Sequence, residues 1–368
     1  MSEEVLGARA LNRALLERQG LLERTGGSAS ATIEQLVGMQ AQVPENPYVG
    51  LWSRLEGFAP EELSGLIAER RAVRAGVMRA TIHLLSDRDC LAIQPITQAV
   101  LIKTFKSPWA KGLAGADPAE VTAAGLELLT DRPRTRAELS DLLAPRWPDA
   151  DPKSLSHAAT VHTALVQIPP RGLWRQSGQA TWAPTEQWLG EALEARPSVD
   201  DLVLRYLAAF GPATVADVRT WSRLTGLREV VERLRPRLRT FRDENGRELL
   251  DVPDGPLPDP DTPAPPRFLP EYDNLALSHA DRSRIFAGLG PGGPPPRGGT
   301  RGWLVTDGFF RAFWSLQADD DVATLTVHGF ERRESDPHDV LEQIGDEGAG
   351  LLRLLAADAA ARRVKLRS

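Results

Sequence analysis

GPATVADVRTWSRLTGLREVVERLRPRLRTFRDENGRELLDV, residues 211–252, carries the clearest structural pattern in the chain. Its first part reads as a helix, Gly226 as a turn, and the stretch after it as a longer, basic helix. LRTFRDENGRELLDV then reads as a β-hairpin, because Asn245-Gly246 supplies the left-handed residues that a tight hairpin tip requires. Helix, turn, helix and hairpin is the order of a winged helix.

The same order appears upstream. The stretch 132–168 predicts a short helix from Thr135, a Pro-rich turn and a longer helix over 152–168. GLWRQSGQATWA, residues 172–183, is expected to form a hairpin about Ser177-Gly178. Pro133, Thr135, Ala137 and Leu139 match Pro212, Thr214, Ala216 and Val218 at constant offset, which points to a duplicated module rather than a short-period solenoid.

Nearer the start, Ala8, Leu11 and Leu15 recur at helical spacing. Ile33, Leu36, Val37 and Ala41 form a second stripe, with Ser30 and Thr32 as candidate N-caps. Helices follow over 48–55 and 60–74, and RATIHLL, residues 79–85, is β-like. Beyond the Pro-rich linker 254–266 come FLPEYDNLALSHADRSRIF, the Pro/Gly stretch 288–299, alternating strands rich in aromatics, and a terminal helix over 340–361. The expected class is α+β, mainly α with small β-hairpins. Four units are expected: winged-helix-like units over 1–86, 87–196 and 197–256, and a C-terminal β-containing unit over 257–368.

With 42% hydrophobic and 26% charged residues in 368, the chain has an ordinary globular composition. No apolar run is long enough to span a membrane. The N-terminus lacks an apolar signal core, so a cytoplasmic location is expected. Cys90 stands alone and excludes an internal disulfide or a cysteine zinc site. A net charge of −6 disfavours a uniformly basic nucleic-acid binder. Charge is segregated, however. The run 228–242 holds six arginines against Glu229 and Glu232, while acids gather at 319–321 and 331–347. Arg235, Arg237 and Arg239 are therefore candidate phosphate contacts, the alternative being an ordinary solvated face.

The six histidines make no HExxH spacing, and no Walker loop, dinucleotide fingerprint or GxSxG elbow is present. The unusual element is MQAQVPENPY, residues 39–48. Gln40 falls on the apolar stripe, seven after Ile33 and three after Val37, so its amide must find partners or line a cavity. Pro44 disfavours helix at Val43, which predicts that the helix stops near Gln42. If the chain unwinds at Gln40, the amides of Gln40 and Gln42 point the same way and converge. The alternative is that they cap helix-end carbonyls.

The order of elements, the Gln-Ala-Gln at 40–42 and the segment 268–285 together resemble, over essentially the whole chain, the bacterial winged-helix DNA glycosylases of the AlkZ and YcaQ kind. The resemblance implies tandem winged helices in a C-shape around DNA, excision of N7-alkylated purines, and in some members unhooking of interstrand crosslinks. It places the catalytic pair on Gln40 and Gln42. The YcaQ branch carries an acid at the second position, so Gln42 sets this chain nearer the AlkZ-like branch of antibiotic self-resistance. A monomeric, monofunctional glycosylase acting on double-stranded DNA, associated with the nucleoid through it, is the expectation.

The chemistry agrees with that implication. An N7-alkylguanine is cationic and already leaves well. A glutamine carbonyl can accept from water and its amide can donate to a phosphate or base edge. No metal or cofactor is required. Glu45 and Glu271 are the nearest candidates for a general acid, the alternative being that both are surface or structural carboxylates. The alternative from another class is a non-catalytic winged-helix transcription regulator.

Overall fold

The computed structural model describes residues 4–105, 108–287, 301–318 and 321–367; the Pro/Gly stretch 288–299 and the acidic pair Asp319-Asp320 lie outside the described residues. One arrangement recurs three times: a helix, a very short strand, two more helices and a hairpin. The first copy is Ala29–Gln35, Met39–Gln40, Asn46–Trp52, Pro60–Ala68 and the hairpin Ala72–Gly76 with Ile82–Ser86. The second is Pro118–Asp131, Arg134–Thr135, Arg136–Leu143, Pro152–Val161 and the hairpin Leu165–Ile168 with Thr181–Pro184. The third is Val199–Phe210, a single bridge residue at Ala213, Val215–Ser222, Leu227–Leu234 and the hairpin Arg239–Asp243 with Glu248–Asp251.

In every copy the short strand pairs with the second strand of its hairpin: Gln40 opposite His83, Thr135 opposite Thr181, Ala213 opposite Leu250. The local match between 133–139 and 212–218 has a physical cause. Thr135 and Thr214 each cap the helix that follows, and Glu138 and Asp217 return a bond to the cap's own N–H. The first two hairpins join, Arg74 opposite Gln167 and Ala75 opposite Val166, into one six-stranded sheet. Strand Val5–Leu6 runs parallel to Arg239–Asp243 and ties the chain start to the third copy.

The C-terminal part is a five-stranded sheet in the order Arg267–Pro270, Gly302–Thr306, Phe309–Ala318, Val322–His328 and Ala361–Arg367. Helix Val340–Leu355 packs Ile344, Leu351 and Leu352 onto its Phe268, Trp314 and Leu325. Among the described residues no helix is long and apolar enough to cross a membrane.

Five sequence expectations are corrected. The helix expected over 60–74 stops at Ala68, and Ala72–Gly76 is a strand. The helix expected to run to Gln42 ends at Gln35, and its N-cap is Ser28, not Ser30 or Thr32. The helix expected over 152–168 stops at Val161, and Leu165–Ile168 is a strand. The hairpin expected about Ser177-Gly178 instead pairs Leu165–Ile168 with Thr181–Pro184. Pro169 and Pro170, which have no N–H to give a ladder, end the first strand before GLWRQSG begins. The terminal helix stops at Leu355, and Ala361–Arg367 is a strand parallel to Val322–His328.

Candidate active site

The early end of the second helix positions everything else. Gly38 N–H bonds to the Ile33 carbonyl (2.9 Å) and Val37 N–H to that of Glu34 (3.1 Å), the crossed pair that closes a helix through a left-handed residue. That residue is Val37, at φ 53°, a conformation that a β-branched side chain resists. Gly38 follows at φ 88°, and a Cβ there would sit 2.5 Å from the Leu85 side chain and 3.0 Å from the Leu84 carbonyl. The chain therefore reverses in two residues and leaves Met39–Gln40 extended against Ile82–Ser86.

The turn is held from far away in sequence. Asn274 Nδ2 donates to the Gly38 carbonyl at 2.8 Å. Its neighbour Asp273 makes a buried two-pronged pair with Arg54, Nη1–Oδ2 2.9 Å and Nη2–Oδ1 2.8 Å. The stretch FLPEYDN thus clamps the stretch that carries Gln-Ala-Gln. The two motifs that carried the sequence resemblance are one structural unit.

Gln40 is buried (7% exposed) and Gln42 is exposed. Gln40 Oε1 accepts from Arg79 Nη2 at 2.7 Å. The same Nη2 lies 3.1 Å from His83 Nε2, and His83 Nδ1 lies 3.0 Å from the Thr81 carbonyl. A guanidinium and a carbonyl fix the roles: Arg79 donates to Nε2, and Nδ1–H donates to Thr81. The histidine is accordingly neutral, and burial beside Arg79 pushes its pKa down to about 3. Gln42 Oε1 accepts from the Ile82 N–H at 3.3 Å. Both partners of the glutamines can only donate, so both carbonyl oxygens face residues 79–82 and both NH2 groups face away. Between them, the Ala41 carbonyl accepts from Arg74 Nη2 at 2.8 Å.

Arg79 and His83 are the residues that sequence reasoning missed. Arg79 and Ala80 occupy the hairpin tip at φ 56° and 57°, two consecutive left-handed residues of types that disfavour it. Nothing in RATIHLL forecasts this, because neither residue is Gly, Asn or Asp. Burial pulls the Arg79 pKa down to about 10, helped by the like charges of Arg223 and Arg282, so at neutral pH it remains a cation. Its Nη1 reaches the Trp221 carbonyl at 3.5 Å, on the third copy of the module. Arg79 therefore links the Gln40 site to the third copy, while the charges of Arg223 and Arg282 act on its guanidinium.

The basic run behaves differently from its composition. Arg235 pairs with Glu232 and Glu248, both at 2.9 Å, and Arg239 with Asp251 at 2.7 Å. Arg237 is exposed and makes no ion pair among the described residues. Glu45 pairs with Arg301 at 2.9 Å, and burial raises the Glu271 carboxyl above the usual range.

A family model for DNA glycosylases, described as "DNA glycosylase AlkZ-like", matches residues 33–354. The chain belongs to this family. An AlkZ-like DNA glycosylase is a hydrolase of N-glycosyl bonds, and the matched region contains both Gln40 and the Asp273-Asn274 clamp. A curated relative from Streptomyces sahachiroi, "Interstrand DNA cross-link repair glycosylase", is 26% identical over 257 residues. That match spans 64% of this chain and 64% of the relative, just under two thirds of its length. The solved structure of Streptomyces sahachiroi DNA glycosylase AlkZ superposes with a TM-score of 0.73 at 20% identity, covering 99% of this chain and 100% of that one. The superposition establishes the α+β fold of this AlkZ-like glycosylase.

Proposed function

We propose that this chain hydrolyses the N-glycosidic bond of cationic N7-alkylated purines in double-stranded DNA, as a monofunctional and monomeric enzyme, with Gln40 and Gln42 as the catalytic pair. The observation that carries the proposal is the shared orientation of the two amides, each carbonyl accepting from a group that can only donate. The name of the Streptomyces relative adds interstrand crosslinks to the candidate lesions.

An N7-alkylated base leaves as a neutral molecule, so its departure needs no proton. The remaining requirement is an oriented water. Each glutamine oxygen keeps a second lone pair after accepting its protein donor, and that lone pair can hold a water proton. Orientation of this kind contributes up to roughly 7–11 kcal/mol of barrier lowering. The outward NH2 groups are placed to donate to a phosphate or a base edge. Arg79, Arg223 and Arg282 draw backbone phosphates to the same place, and those phosphates bring negative charge beside the developing oxocarbenium sugar.

The test is to incubate the enzyme with a duplex carrying one N7-methylguanine and to measure free base and abasic sites. Stoichiometric release of both is expected. Tight binding with no base released would leave a DNA-binding protein without this activity.

Sequence-independent affinity has its own expected result. Arg237 is exposed and, unlike Arg235 and Arg239, makes no ion pair among the described residues, and we assign it a phosphate contact alongside them. Arg237→Ala should weaken binding to every duplex alike and flatten the plot of log affinity against log salt by about 0.9. An unchanged slope would make the run an ordinary solvated face.

A further inference from the structure

Behind Gln42 lies a cavity of about 390 Å³, set between the six-stranded sheet and the helices Asp87–Thr104 and Pro152–Val161. Strand register builds its floor. Arg74 stands opposite Gln167, and Gln167 opposite Trp182, so a row of polar residues crosses three adjacent strands on one face. All three are more than nine-tenths buried, at 2%, 8% and 7% exposed. Sheet interiors rarely carry such a row.

Most of the buried side-chain polar atoms without a hydrogen-bond partner among the described residues belong to this lining: Arg74 Nε and Nη1, Arg171 Nε, Trp182 Nε1, His157 Nδ1 and Gln167 Oε1. Buried polar groups are ordinarily paired, so their concentration in one place marks a ligand's position. Four of the six, those of Arg74, Arg171 and Trp182, are donors. His157 is neutral, because burial and the nearby Arg136 bring its pKa down to about 4.

The charge has a single sign. Among the described residues Arg74, Arg136 and Arg171 line the cavity and no Asp or Glu does. Burial and the charge of Arg171 bring the Arg74 pKa down to about 10, which leaves it a cation at neutral pH. A buried cation without a counter-anion is costly. Loop geometry serves the same end. Gly172, at φ 101°, packs so closely on Arg74 that a Cβ would lie 2.8 Å from its Cδ. Absence of a side chain at 172 thus lets the loop bring Arg171 beside Arg74.

We propose that this cavity is a phosphate-binding site, in which Arg74 and Arg171 hold the oxyanion and the Trp182 indole N–H completes the donor set. Arg74 also holds the Ala41 carbonyl between the two glutamines, so an anion seated here steadies the Gln-Ala-Gln segment through one side chain. The phosphate comes either from the DNA backbone beside the lesion or from free phosphate.

Two arms test the proposal on the full chain. In the first, thermal melting is followed against inorganic phosphate at constant ionic strength, with chloride as the control anion. The melting temperature should rise saturably, and the rise should vanish in Arg171→Gln, whose partly exposed side chain makes it the safer variant; its melting temperature without phosphate reports its folding. In the second, each phosphate flanking an N7-methylguanine is replaced by a neutral methylphosphonate. Backbone binding predicts that one replacement weakens binding about tenfold or more, the worth of a charge-assisted hydrogen bond, and that Arg171→Gln abolishes this sensitivity. A phosphate-dependent rise with no sensitive methylphosphonate assigns the site to free phosphate. No saturable rise and no sensitive position together overturn the proposal.

Discussion

Gln42→Ala should lose roughly a hundredfold or more in single-turnover excision while keeping the wild-type melting temperature and DNA affinity. The size follows from removal of an orienting hydrogen bond that matters chiefly in the transition state. Stability is spared because Gln42 is exposed and its protein bond is a single long one, 3.3 Å from the Ile82 N–H. Gln40→Ala should lose activity and stability together. It would strip a buried acceptor from Arg79, which bonds Gln40 at 2.7 Å, and an unmet buried donor costs about 1–3 kcal/mol. Excision kinetics and melting on the same preparations separate the two effects. Normal excision by a folded double variant would remove the pair from the mechanism.

The largest stability loss is expected away from the glutamines. Asp273→Ala leaves Arg54 charged, buried and unpaired, since the two side chains are 2% and 1% exposed. Breaking such a pair from one side typically costs about 3–5 kcal/mol. Asp273 also caps the turn that carries Asn274, accepting from Leu275 N–H at 2.9 Å. Its loss should loosen the Asn274 bond to Gly38, and excision should fall with it. Asn274→Ala separates these contributions, because it breaks the 2.8 Å bond to Gly38 while leaving the ion pair intact. Urea unfolding of both variants checks the order. An Asp273→Ala protein as stable as the wild type would mean that the clamp does not hold the turn.

Much of this architecture was legible in residues whose chemistry acts locally. Thr135 and Thr214 announced helix starts because capping involves only neighbours, and Asn245-Gly246 announced a hairpin for the same reason. The Gln-Ala-Gln was visible as a polar intrusion on an apolar stripe. Its geometry was not visible. The stripe from Ile33 to Ala41 continues smoothly through Val37, and only long-range contacts, with Leu84, Leu85 and Asn274, reveal that Val37 turns left-handed. Arg79 was hidden for a related reason. Its role depends on meeting Gln40 across a strand pair and Trp221 across the molecule, which no periodicity encodes. The basic run carries less free charge than its composition suggests, because the hairpin brings Glu248 and Asp251 onto Arg235 and Arg239, and sequence separation alone does not encode that pairing.

Oriented glutamines suffice in the proposed mechanism because the leaving base is already cationic. This is tested most directly by giving one enzyme preparation matched duplexes that differ only at the target base, N7-methylguanine in one and uracil in the other, and measuring single-turnover release of free base. A neutral base needs proton donation, whose absence costs typically a hundredfold or more, so N7-methylguanine should be released and uracil essentially retained. Release of uracil at a rate near that of N7-methylguanine would show that the enzyme does not depend on a cationic leaving base.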